Sequence, residues 1–92
     1  MKAKLITYKL SNLDQYHKVL VNRSLFGYTD NSNKGSYQYE RRGVIAEIPH
    51  FKLLRGAIIV RNEDQKIISS VLKEHKVRHR VFDIIIKNTM LH

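Results

Sequence analysis

Apolar residues recur along this chain with two different periods, and the switches between them divide it into elements. From Lys4 to Leu10, Ile6, Tyr8 and Leu10 alternate with Thr7 and Lys9, the period of two that puts alternate side chains on one face of a strand. Ser11 and Asn12 end that strand. Asn12 followed by Asp14 and Gln15 is a helix-start signal, a side-chain acceptor for the first amides and an acid in the first turn. The spacing predicts a helix over 13–25, with Leu13, Tyr16, Leu20 and Val21 on its buried face and Gly27 as its stop. Residues 28–36 read as a loop, and 37–45 as a strand rich in aromatic and β-favouring side chains. Pro49 interrupts the chain before a strand over 53–61, whose centre, Ala57-Ile58-Ile59-Val60, is the most apolar run in the sequence. Asn62, Asp64 and Gln65 repeat the helix-start signal. They predict a second helix to about Lys76, with Ile67, Ile68, Val71, Leu72 and His75 on one face. In the last strand, 78–87, Phe82, Ile84 and Ile86 face one way and Val81, Asp83 and Ile85 the other, leaving 88–92 as a frayed tail.

The element order β-α-β-β-α-β, with matching helix-start signals in its two halves, predicts an α+β protein of ferredoxin-like fold. The expectation is a four-stranded antiparallel sheet in the order 4-1-3-2 with both helices on one face. All 92 residues fit one domain, 1–92, with a thin core. With Ile6, Tyr8, Leu10, Ile58, Val60, Phe82, Ile84 and Ile86 under the helices, the open face carries Leu5, Thr7, Lys9, Arg55, Ala57, Ile59, Arg61, Val81, Asp83 and Ile85. That face is apolar at its centre and basic at its edge. It suits either a nucleic-acid platform or a homodimer in which Leu5, Ile59, Val81 and Ile85 are buried sheet against sheet.

Charge narrows the class of partner. Seventeen Lys and Arg against eight Asp and Glu give a net charge of +9 and an expected polyanionic partner, nucleic acid first among them. The absence of cysteine excludes disulfides and thiolate metal sites, and no cofactor is implied. The start, Met-Lys-Ala-Lys, lacks the apolar run of a signal or membrane-spanning segment, so a cytoplasmic protein without membrane association is expected.

The stretch from Leu25 to Gly43 is the part that folding needs least explain, and three of the five tyrosines fall in it. Within its Tyr28–Tyr39 loop, Asn31 to Ser36 offers amides, hydroxyls and the Lys34 ammonium to a phosphate, without the spacing of a nucleotide-binding phosphate loop. Tyr37 and Tyr39 share one side of their strand with Arg41. They either stack bases and hold the backbone between them or sit beneath a helix as core. Arg41, Arg42, Lys52, Arg55 and Arg61 fall on two strands expected to pair, which predicts a continuous basic patch. Arg23 either joins the loop or offsets the dipole at its helix end. A second basic group, Lys73, Lys76, Arg78 and Arg80 with His75 and His79, lies between the second helix and the last strand. The run Arg55-Gly56-Ala57-Ile58-Ile59-Val60-Arg61 resembles the third-strand signature of the RNA-recognition motif in its Arg-Gly opening and alternation. Ala57 and Ile59 occupy the positions of its stacking aromatics, so the resemblance implies the fold and not that motif's mode of binding.

Two other classes compete with a small, basic, non-catalytic protein that binds RNA or single-stranded DNA. One is a dimeric ferredoxin-like nuclease, with His17, Asp14, Asp30 and Asp83 as candidate acid–base groups. Such nucleases place an acid just after the first strand, whereas Asp14 belongs to the helix, and no catalytic residue is assigned. The other is a protein-binding module of a ribonucleoprotein. His75 and His79 have the separation of two ligands on a helix, but residues from Val77 onward read as turn and strand, and no metal site is expected.

Overall fold

Seven alternating residues at the N-terminus form β1 (Lys2–Tyr8) in a computed structural model that describes residues 1–32 and 37–91. The chain continues through α1 (Gln15–Phe26), β2 (Tyr28–Ser32), β3 (Tyr37–Arg41), β4 (His50–Leu54), β5 (Ala57–Arg61), α2 (Gln65–Glu74) and β6 (His79–Ile85). Single 3-10 turns lie over Val44–Glu47, Asn62–Asp64 and Asn88–Met90. Over the described residues the protein is α+β, with a four-stranded antiparallel sheet in the order β4-β5-β1-β6 and two α-helices.

The strand expected over 37–45 is not in that sheet. Its first half is β3, which among the described residues pairs with β2 in a separate hairpin, Tyr28 opposite Arg41 and Asp30 opposite Tyr39. The sheet edge expected for 37–45 is held by β4, whose end was read from the sequence as part of one long strand over 53–61. Gly56 divides that run. It adopts φ 80°, its carbonyl accepts the Tyr8 amide at 2.9 Å, and a Cβ there would strike the Tyr8 carbonyl. Only a residue without a side chain holds this left-handed turn so close to another backbone.

The helix-side core joins Ile6, Tyr8, Ile58 and Val60 of the sheet to Val21 and Leu25 of α1 and Ile68, Val71 and Leu72 of α2, with Ile45, Ile48 and Val77 closing its ends. Each fully buried aliphatic side chain here stabilises the fold by about 1.5–3 kcal/mol. The helix starts two residues later than its polar run suggests. Asp14, not Asn12, is the N-cap, its carboxylate accepting the His17 amide at 2.8 Å. Tyr16, expected on the buried face, is 68% exposed, while Val21, as expected, and Leu25 are buried. Gly27 ends α1 as expected, its amide donating to the Arg23 carbonyl.

On the opposite face the last strand is inverted relative to its expected facing. Val81 stands beside Ile6, and Phe82 beside Leu5. Phe82 and Ile84 therefore share a face with Leu5 and Ile59, while Val81, Asp83 and Ile85 lie on the helix side. Nor is this face open. The turn at Asn88–Met90 brings Met90 and Leu91 against a cluster of Ala3, Leu5, Phe51, Ile59, Ile84 and Ile86, in place of the frayed tail. Ile59 is 4% exposed within the single chain, so Leu5, Ile59, Val81 and Ile85 do not form one exposed patch. Among the described residues no helix is long and apolar enough to cross a membrane.

Candidate nucleic-acid interface

A groove of about 970 Å³ opens between α1, the end of β1 and the turn from β4 to β5. From α1 it takes Gln15, Lys18, Val19, Asn22, Arg23 and Phe26, a set that recurs every three or four residues and so lies along one face of the helix. Its other walls include Lys9 and Leu10 after β1, and Lys52 and Arg55 beside Gly56. Five cations, Lys9, Lys18, Arg23, Lys52 and Arg55, line it with no carboxylate and no imidazole among the described residues. Apolar surface separates the charges. Phe26 lies under the Lys52 ammonium at 4.4 Å, and the Arg23 guanidinium sits 4.3 Å from the centre of the Tyr28 ring. Each ring orients its cation without neutralising it. A groove that concentrates one sign of charge beside low-dielectric walls focuses the field and attracts a polyanion.

The structure sorts the residues expected to bind into two groups. Arg23, Lys52 and Arg55 converge in the groove, joined by Lys9, which the sequence reading placed on the open sheet face, and by Lys18, which it did not select. Arg41, Arg42 and Arg61 are each engaged by acids. Arg41 approaches Asp30 at 3.3 Å, Arg42 meets Glu47 at 2.5 Å, and Arg61 meets Asp64 at 2.7 Å and Glu63 at 3.0 Å. The hydrogen bond to Asp64 is the main cause that raises the Arg61 pKa further. The expected continuous patch over paired strands is therefore divided, because β3 and its arginines leave the sheet with the hairpin. Lys34 and the Tyr37 side chain lie outside the described residues. Tyr39 is half exposed, stands near the Arg41 guanidinium at 5.8 Å and belongs to neither core cluster.

The hairpin is tied to α1 by backbone rather than by core. A Cβ on Gly43 would strike the Leu25 carbonyl, and one on Gly27 would strike the Arg41 carbonyl, so the entry and exit of the hairpin cross in direct contact. Arg23, on the groove side of α1, reaches Tyr28 at the base of β2 and makes groove and hairpin one surface.

The candidate acid–base groups lie apart from the groove lining. Asp14 is held below the ordinary carboxylate range, first by the His17 amide and then by the His17 ring. Asp83 is lowered by its hydrogen bond from Lys4. His75 faces Ser24 of α1 at 3.2 Å, and His79 faces Ser69 of α2 at 3.2 Å, so each imidazole joins packed elements. Among the described residues no group of three His, Asp or Glu is placed to hold a metal ion. Burial raises the pKa of Tyr8, which leaves its phenol neutral at the groove wall. No protein-family profile matches the chain, and neither curated proteins nor solved structures include a significant match to it.

Proposed function

We propose that the protein binds single-stranded nucleic acid, RNA or DNA, along the groove between α1 and the β4–β5 turn, and carries out no reaction on it. The observation that supports this is the convergence of five cations with no acid in the lining, against the acid-matched arginines elsewhere. A single strand fits better than a duplex because Leu10, Val19 and Phe26 lie among the cations. Unstacked bases can use such apolar surface while phosphates meet the charges, whereas a duplex presents mainly phosphate and sugar. Arg23 and Tyr28 carry the same surface toward Tyr39 and Arg41 on the hairpin. A nuclease reading lacks support at this groove, since its lining offers no general base. The sheet order β4-β5-β1-β6 supports a ferredoxin-like arrangement in which the β2–β3 hairpin is an insertion after the first helix.

The test is anisotropy with labelled single-stranded RNA and DNA over a range of salt. Five phosphate contacts give a slope of log K against log salt of roughly −3.5, at about −0.7 per contact on a single strand. Lys9→Ala and Lys52→Ala should each flatten the slope by about 0.7, while Lys66→Ala and Lys87→Ala, outside the groove, leave it unchanged. Absence of binding at low salt would overturn the proposal. Equal effects from all four lysines would replace it with diffuse attraction.

A further inference from the structure

The strand β6 is an edge without the lysine, proline or bulge that commonly keep edges apart, and its charges are the opposite-sign residues Arg80 and Asp83. Its seven residues pair with β1 without a break in register, and they include no proline, glycine or lysine. Val81, Phe82 and Ile85 are 37%, 44% and 82% exposed. The opposite edge is built otherwise: β4 follows Pro49, carries Lys52 at its centre and has a bulge between Lys52 and Leu54. A regular unpaired edge is a template for another strand, and bulges, prolines and unmatched charges, lysine above all, are the usual means of preventing it.

We propose that β6 pairs antiparallel with β6 of a second copy about a two-fold axis at Val81, setting Val81 opposite Val81, Arg80 opposite Phe82 and His79 opposite Asp83. The occupant follows from the strand's own residues. In an antiparallel pair built on a two-fold axis, residues equidistant from the axis stand opposite one another on the same face. Arg80 and Phe82 share the face of Leu5, and His79, Val81 and Asp83 share the face of Ile6, so every opposed pair meets on one side. With the axis at Val81, each guanidinium comes over a ring and each Asp83 comes against the basic Arg78-His79-Arg80 segment of its partner. Asp83 is the one acid of the strand and is 85% exposed beside Lys4, which leaves it accessible. Other axes fit worse. At Arg80 two guanidinium groups would oppose each other, at Asp83 two carboxylates, and at Phe82 both charged residues would stand against aliphatic ones. The pairing would join two sheets into one of eight strands, independently of any nucleic acid.

The chain has no cysteine, so single cysteines report the register directly. In protein freed of nucleic acid and treated with a mild oxidant, Val81→Cys should cross-link to a dimer, because a self-opposed residue has its Cβ about 4.5–5.5 Å from its copy. Phe82→Cys and Asp83→Cys should form little or no cross-linked dimer, since each stands opposite a different residue of the partner copy. In sedimentation the wild type should move from the monomer mass toward twice that mass between micromolar and millimolar concentration. Val81→Lys and Val81→Glu should each sediment as monomers, and their mixture should regain the dimer. A wild type that stays monomeric, a Val81→Lys protein that still dimerises, or cross-linking at Phe82→Cys in preference to Val81→Cys would overturn the proposal. If the charged variants fail to fold, the cysteine series decides alone.

Discussion

Replacing Ile59 by glutamate distinguishes a covered sheet face from an open one. On an open face the substitution would leave the fold intact. In the structure Ile59 is 4% exposed and packs in an apolar cluster with Ala3, Leu5, Phe51, Ile84, Ile86, Met90 and Leu91. Arg61, two residues along β5 on the same face, is already held by Asp64 and Glu63. Losing the buried isoleucine costs about 1.5–3 kcal/mol. Burying an unmatched carboxylate adds an effective penalty of several kcal/mol. A chain of this length has about 5–14 kcal/mol of total stability, so the sum is a large part of it. In a domain of this size each kcal/mol shifts Tm by about 4–8 °C, and a fall of roughly 20 °C or more is expected in a circular-dichroism melt. Ile59→Ala, at about 2–5 kcal/mol, should fall by about 8–40 °C. Leu91→Asp should lower Tm in the same direction by less. An Ile59→Glu protein that melts with the wild type would refute the covered face and the docked C-terminal segment together.

Gly43→Ala should lower Tm by roughly 5–20 °C, from an overpacking cost of about 1–3 kcal/mol. Gly43 has an ordinary φ of −81°, so the cost comes from collision with the Leu25 carbonyl and the Gly27 amide nitrogen rather than from backbone strain, and an unchanged Tm would mean that α1 and the hairpin exit do not cross tightly. Because burial raises the Tyr8 pKa above 10.0, its neutral phenol contributes stability that is complete below that pH and declines as pH rises toward the folded value. Stability measured across alkaline pH should fall less in Tyr8→Phe, and equal losses would contradict the burial. Asp14 has the opposite sign. Its lowered pKa contributes above the ordinary value of 3.8 and is lost as pH falls through the folded value, so the Tm deficit of Asp14→Ala should close on acidification. A deficit independent of pH would exclude the carboxylate cap.

The elements were legible where one period ran unbroken. Alternation through Ile6 and Tyr8 and the apolar run Ala57–Val60 located the two central strands and their facing. Two signals misled. Gly56 inside an apolar stretch marks a turn here, and reading through it merged β4 with β5 and gave the edge position to Tyr37–Ile45. In β6, Val81 to Ile86 is apolar on both sides except for Asp83, so alternation alone could not say which residues face the helices. The register with β1 decides it, and that is a tertiary fact. The basic groove was half legible. Arg23, Lys52 and Arg55 were singled out, while Lys18 joins them because α1 turns the 15-18-19-22-23-26 stripe toward the β4–β5 turn, and Lys9 because the end of β1 bonds to Gly56 in that turn. That stripe has helical spacing and no acid, and it was the signal available in the sequence.

The groove is tested most directly by nuclear magnetic resonance, titrating isotope-labelled protein with a short single-stranded oligonucleotide and following every backbone amide. The account predicts that the largest shifts fall on Lys9–Ser11, on the Gln15–Phe26 helix face and on Lys52–Gly56, with smaller ones at Tyr28 and Tyr39. Shifts concentrated on the β2–β3 hairpin with the groove amides unmoved, or shifts spread evenly over all exposed lysines and arginines, would contradict it.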